Sequence, residues 1–327
     1  MNGQFFVTAG LLVFAMTGAA AQGGPLVCPA GANPADAKTI AQDGCQQASD
    51  VYQFMAPQLG LALTGGNATL GTGTTLGGIG HFSIGLRANA FQGSLPDVGN
   101  FTQSTTGARR SVLPTKDHWL GLPTADAAIG IFGGVPLGVT NVGGVDLLVS
   151  ASYVPSIDET DIKIKPSSNF QAGYGVRVGL LSESIVVPGV SFTYLKRDLP
   201  TTSIAASSGT NTLTISNMKV NSAAWRVVAS KSLLLFSFAA GGGKDKYDSS
   251  AEVAATVKGS GTSIPGTSQK LERTNLFADV ALNLPLFKIV GEVGQVSGGT
   301  VDTFNSFSTG RADKDQQYFS LGIRFGL

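Results

Sequence analysis

Tyr318-Phe-Ser-Leu-Gly-Ile-Arg-Phe-Gly-Leu327 closes the chain. On an extended strand successive side chains point to opposite faces. Phe319, Leu321, Ile323, Phe325 and Leu327 therefore share one face, and Ser320, Gly322, Arg324 and Gly326 share the other. The apolar face runs to the last residue while the opposite face carries an arginine. One such strand fits a soluble sheet, but recurrence of the pattern fits a barrel with lipid outside and a polar interior.

The pattern does recur. Phe82, Ile84, Leu86, Ala88 and Ala90 alternate with His81, Ser83, Gly85, Arg87 and Asn89. Val145, Leu147, Val149, Ala151 and Tyr153 oppose Asp146, Ser150 and Ser152, and Phe170 to Leu180 alternates with a face holding Arg177. Val190, Phe192 and Tyr194 oppose Ser191, Thr193 and Arg197, and Trp225 and Val227 oppose Arg226 and Ser230. Leu276, Ala278, Val280 and Leu282 oppose Asn275, Asp279 and Asn283, with a weaker split of Phe287, Ile289 and Val293 against Lys288 and Glu292. Short turns are expected near 136–143, 182–188, 231–233 and 284–286, and long polar loops near 92–123, 156–168, 199–211, 258–270 and 298–314. This alternation of short and long matches barrels with short inner turns and long external loops. It predicts an all-β, antiparallel transmembrane barrel of about ten strands over residues 79–327, or twelve if 92–123 hides a hairpin. Residues 212–230 and 233–257 exceed the ~9–11 residues needed to cross. They are expected to project above the membrane or to contain a further turn around Gly241–Gly243. Tyr153, Tyr174, Phe170, Phe91, Trp225 and Phe319 fall near strand ends, where aromatic girdles belong.

The start of the chain supplies an address. Phe5–Met16 is an apolar run followed by an Ala-x-Ala-type site, so residues 1–21 read as a signal peptide, although no Lys or Arg precedes the run. Residues 22–78 form an N-terminal element. Its cysteines, Cys28 and Cys45, are the chain's two and read as a disulfide in an oxidising compartment. Val27 argues against a lipid-modified Cys28. Asn33-Pro34 reads as a helix start, and Ala37, Ile40, Ala41, Cys45, Ala48, Val51, Tyr52 and Met55 form one apolar stripe over residues 34–56. The helix is expected to pack beneath the barrel; a plug inside the lumen is the alternative. Residues 60–80 are rich in Gly, Thr and Leu but hold no Gly-Lys-Ser/Thr, so they read as a connector and not as a phosphate loop.

Signal sequence, alternating strands and an aromatic-rich last strand together resemble bacterial outer-membrane β-barrel proteins. That resemblance implies contact with outer-membrane lipid and lipopolysaccharide, and assembly by the barrel-assembly machinery, which reads a terminal aromatic residue. This chain ends Phe325-Gly-Leu327 instead. The order helix, glycine-rich connector, barrel over residues 34–90 also resembles the long-chain fatty-acid transporter type, whose N-terminal segment plugs the lumen and which has more strands.

Little in the chain suggests chemistry. Net charge is +1, which excludes a basic nucleic-acid footprint, and no cofactor motif is present. His81 and His118 are the two histidines, and neither lies in a Gly-x-Ser-x-Gly elbow or a His-Glu-x-x-His motif. Ten-stranded outer-membrane proteases carry acids and histidines on their rim. Asp97, Asp117, His118, Asp158, Glu159 and Asp161 could be set in that pattern, but a solvated loop is the simpler reading. The clusters Lys244–Asp248 and Arg311–Asp315 read as loop tips. Arg87, Asp146, Arg177, Arg226, Asp279, Lys288, Glu292 and Arg324 are the lumen-facing charges, either an ion-pair network filling a narrow barrel or a charge-selective constriction. The expected function is a passive channel or transporter for small molecules, apolar ones included. A pore-less surface-interaction barrel is the alternative, and an enzyme has least support.

Overall fold

A computed structural model describes residues 24–33, 35–158 and 162–326. The signal-peptide reading of residues 1–21, and Pro34, Glu159, Asp161 and Leu327, lie outside them. Ten antiparallel strands close into a ring, as the repeating alternation predicted. They are β1 (Phe82–Pro96), β2 (Pro123–Phe132), β3 (Val145–Tyr153), β4 (Phe170–Leu181), β5 (Gly189–Asp198), β6 (Asn211–Leu233), β7 (Phe236–Val257), β8 (Ser260–Asn283), β9 (Lys288–Ser297) and β10 (Gln316–Gly326). Each pairs with its chain neighbour, and β10 closes on β1 from Ser83↔Gly326 to Phe91↔Tyr318. Closure leaves no open edge, so the backbone groups of the ring pair with one another where no water reaches.

The outer face carries the belt that lipid requires. Ile84, Leu86, Leu147, Tyr174, Leu276, Leu321 and Ile323 are exposed on it, while Arg87, Asp146, Arg177 and Asp279 on the other face are buried. Short connections gather at one end, and four of the five at the other are long, which sets that end outside. Tyr153, Phe170, Tyr174 and Phe319 are exposed near the outer rim. Phe91 corrects the girdle reading: it is 1% exposed and packs inward beside Leu61 and Tyr318.

The region expected to be a long loop at 258–270 is strand. A tight turn at Lys258 and Gly259, both with positive φ, joins β7 to β8. Beyond Lys246 the eleven residues to Val257 project ~35 Å above the belt at strand rise. The Lys244–Asp248 cluster is therefore mid-strand, with Asp245 and Tyr247 turned inward and buried. No extra crossing pair lies in 92–123; instead residues 115–120 fold back on the upper half of β1.

Helix α1 (Ala37–Thr64) is longer than expected and is not beneath the barrel. Its outer half packs on the projecting strands, where Gly44 lies against Val257, Ala255 and Leu213. Its last turn enters the lumen, where Thr64 and Tyr247 share a hydrogen bond of 3.0 Å. Pro57, one residue past the expected helix end, lies within the helix. The carbonyl of Gln53 that Pro57 cannot satisfy accepts Gln269 Nε2 at 3.4 Å. From Gly65 the connector runs down the lumen to the inner end, where Gly130 N–H donates to His81 O at 2.9 Å and β1 begins. At the outer end, Gly24 N–H donates to Thr303 O at 2.8 Å. The chain thus threads its own barrel from outside to inside before the first strand. The Cys28–Cys45 disulfide ties the segment before α1 to its third turn, at that same outer end.

This threading predicts an accessibility pattern. In intact cells a membrane-impermeant maleimide should label Lys38→Cys, at the exposed start of α1, and not Leu286→Cys, in an inner turn. Labelling only at position 286 would reverse the orientation.

Candidate functional site

Five inward arginines meet the threaded segment. Arg87 lies 2.9 Å from Asp126 and its guanidinium donates to Asn67 O at 2.9 Å. Arg177 is held by Asp146 at 2.6 Å and donates to Thr69 Oγ1. Arg197 pairs with Asp126 at 2.7 Å and donates to Leu63 O at 3.2 Å. Arg226 pairs with Asp245 at 2.5 Å and donates to Thr64 O at 3.1 Å, and Arg324 donates to Leu70 O at 3.0 Å. Inward carboxylates bind the same segment. Glu292 accepts Asn67 N–H at 2.8 Å, Asp279 accepts Asn67 Nδ2 at 3.1 Å, and Asp146 accepts Leu76 N–H at 3.1 Å.

A connector with no regular secondary structure carries orphan amides and carbonyls, and buried ones must be paired. The inward charges do that pairing. Gly66 shows why the connector is glycine-rich: its φ is +88° and a Cβ there would sit 2.1 Å from Glu292 Oε1. All eight sequence-read charges lie at the lumen, with Lys288 half-buried at its inner end. Sequence reading missed Asp126, set Asp245 in a loop tip and left Arg197 out of the lumen charges. Alternation placed Arg197 on the polar face, but nothing in the sequence pairs it with Asp126, which sits among small residues.

Above the belt the polar interior gives way to an apolar one. Leu213, Ile215, Val253 and Ala255 face α1 and are buried. In β6 the switch comes at a bulge between Ser216 and Lys219, where Asn217 has φ of 51° and inward parity passes from even to odd residues. The ring also opens here. Upper β1 pairs with residues 115–120, and residues 157–158 and 162–166 add through 202–208 to β6. Among the described residues no ladder joins 115–120 to 157–158. In that gap lies a cleft of about 460 Å³. Ala48, Val51 and Met55 of α1 form its back wall, Leu95 and Val98 one side, and Ile157, Ile164, Ile204 and Ile215 the other. Its mouth holds His118, Lys116 and Asp97, the last two paired at 2.8 Å. The hydrogen bond from Lys116 holds the Asp97 carboxyl below its ordinary range.

The protease-like arrangement of rim residues is not assembled among the described residues. Asp117 accepts Ser94 Oγ at 2.8 Å, Asp97 serves Lys116, and Asp158 pairs with Lys163 at 3.1 Å. His81 stands at the opposite end of the barrel from His118.

Two buried carboxylates of α1 clamp the external loops over the helix. Asp50 accepts Phe304 N–H at 3.0 Å, Asn305 N–H at 2.8 Å and Asn305 Nδ2 at 2.8 Å. Asp43 accepts Ser104 N–H at 2.8 Å and Arg109 N–H at 3.0 Å. Burial raises the Asp43 carboxyl, and it lifts Asp50 from 3.8 to about 6 against the pull of its hydrogen bonds.

No protein-family model matches the chain, and no curated protein does. Solved structures match weakly. Ail of Yersinia pestis, with a heparin analogue, covers 76% of this chain and 99% of its own at 11% identity and TM-score 0.25. A mutant of the TodX monoaromatic hydrocarbon channel covers 82% and 74% at 10% identity and TM-score 0.34. A Pseudomonas aeruginosa FadL homologue covers 75% and 90% at 10% identity and TM-score 0.23. Scores this low assign neither fold nor activity. The chain is an outer-membrane-type β-barrel by its own closed ring and lipid-facing belt.

Asp50 gives a pH dependence with a definite sign. Its folded pKa is above its unfolded value, so its contribution to stability is complete below about 4 and is lost as pH rises through about 6. A shift of roughly two units corresponds to ~3 kcal/mol. Unfolding in urea, followed in detergent micelles, should be harder at pH 4.5 than at pH 7.5, and Asp50→Asn should reduce that difference, with Asp43 contributing in the same direction. An unchanged slope in the variant would remove Asp50 as its cause.

Proposed function

We propose that this outer-membrane-type barrel takes up small apolar molecules from outside. The observation that carries the reading is the 460 Å³ apolar cleft whose back wall is the plug helix. Binding pockets of 300–1,000 Å³ suit small ligands, and apolar lining with a few polar groups at the mouth suits an apolar body. The threaded segment fills the lumen below, so the barrel is closed in this state. A ligand in the cleft touches α1 directly, which couples occupancy to the element that blocks the way. Inward passage then requires the connector to leave its arginines.

A second reading, a closed barrel that only displays its external loops, is favoured by how firmly the arginines anchor the connector. Filling the cleft separates the two. Ala48→Trp with Ile164→Trp occupies the cavity without touching the lumen network. Cellular accumulation of radiolabelled naphthalene should fall to the level of cells lacking the protein. Deletion of residues 36–70 should give ion conductance in planar bilayers where the intact protein gives none. Accumulation untouched by cleft filling would overturn the uptake reading and favour the second.

A further inference from the structure

The lipid-facing side of β5 to β8 changes character just above the aromatic belt. Register places Tyr194, Trp225, Lys244 and Thr274 side by side in one row. The next outward row is Lys196, Ala223, Lys246 and Glu272, and the next Asp198, Asn221, Asp248 and Lys270. Strands lie ~4.8 Å apart and successive same-face residues ~6.7 Å apart, so three lysines converge around the small side chain of Ala223. A cleft of about 650 Å³ lies there, with Ala223 and Asn221 on its floor and Lys196, Lys246 and Lys270 on its walls.

Each of these ammonium groups has only a loose, exposed ion pair with a carboxylate neighbour. Lys196 stands 3.9 Å from Asp198, Lys270 3.7 Å from Asp248 and Lys246 3.5 Å from Glu272, at or beyond hydrogen-bond reach. Glu272 is shared with Lys244, which holds it more closely, at 2.5 Å. The three side chains are 40%, 81% and 66% exposed. Immediately below lie Tyr194, Trp225 and Leu276, aromatic and apolar groups of the kind that mark the headgroup level of a membrane. On β9 and β10 the same face carries Val293, Gln295, Gln317 and Phe319 and no lysine.

We propose that this cleft binds the phosphorylated headgroup of an outer-leaflet glycolipid. A phosphate sits among Lys196, Lys246 and Lys270, the sugar lies over Ala223 and Asn221, and the acyl chains run down past Tyr194, Trp225 and Leu276. A lipid is favoured over a soluble anion because the cationic groups lie at the rim of the hydrocarbon-facing surface and continue into it. Asp198, Asp248 and Glu272 keep the patch near neutral overall, which suits a compact phosphate and disfavours an extended polyanion. The site rests on the barrel and its orientation, not on uptake through the apolar cleft.

The test is native mass spectrometry of the full-length barrel, released from dodecyl maltoside, with bisphosphorylated lipid A and with the same lipid A stripped of both phosphates. The intact protein should retain one bisphosphorylated lipid A and bind the stripped form about tenfold more weakly. Lys196→Gln/Lys246→Gln/Lys270→Gln should bind the bisphosphorylated form about tenfold more weakly too, while Lys163→Gln/Lys165→Gln, higher on the outer surface and outside the cleft, leaves binding unchanged. All variants are read on protein that keeps its heat-dependent gel mobility, the mark of a closed barrel. Equal binding of the two lipids, undiminished binding by the triple variant, or equal loss in the control pair would overturn the proposal.

Discussion

Charge enclosed by a closed wall has to be met, and the ten-stranded ring meets it with its own N-terminal segment. Ten strands make a lumen close to the size that side chains alone can fill. Inward arginines at positions 87, 177, 197, 226 and 324 need carboxylates and carbonyls within reach, and the connector's unpaired carbonyls need donors. Removing one partner of such a buried pair typically costs 3–5 kcal/mol, because the other charge is left stranded. Wall and plug thus specify each other. The position of α1, the closed state of the lumen and the placement of the apolar cleft all follow from that fit.

The interior divides by height. At belt level it is polar and holds the connector; above the membrane it is apolar and holds the helix. On its β7 side β6 keeps one partner through the switch, and a bulge at Asn217 changes which of its residues face inward. The apolar upper chamber grips α1 on one side and leaves the cleft on the other, where the ladder between residues 115–120 and 157–158 is missing among the described residues. Asp43 and Asp50 then fasten two external loops across the top. A ligand-accessible surface is therefore in direct contact with the helix that continues into the plug.

How much of this was legible in the sequence differs by element. The last strand, β1, β3 and β4 declared themselves, because lipid on one side and a polar lumen on the other impose a strict period of two. The parity of short and long connections fixed the ring and its direction. The place of α1 was hidden: an apolar stripe shows that a helix is covered on one face, not what covers it, and here nearly every face is covered. Lys244–Asp248 read as a loop tip because charges usually are solvated; in fact the lysines face outward while Asp245 and Tyr247 face the lumen. Leu213 and Ile215 sit inside an extension above the membrane, so their apolar character marks contact with α1 and not with lipid. Asp126 and Arg197 pair across strands distant in sequence, which no local pattern records.

The most direct measurement is whether the connector lies against the inner wall. The Cβ of Thr75 and a Cβ built on Gly179 of β4 are 3.6 Å apart, within the span a disulfide bridges. Thr75→Cys/Gly179→Cys, expressed in cells and analysed without reductant, should form that bond in most molecules and alter gel mobility accordingly. Two free thiols in a correctly closed barrel would contradict the threaded plug and the account built on it.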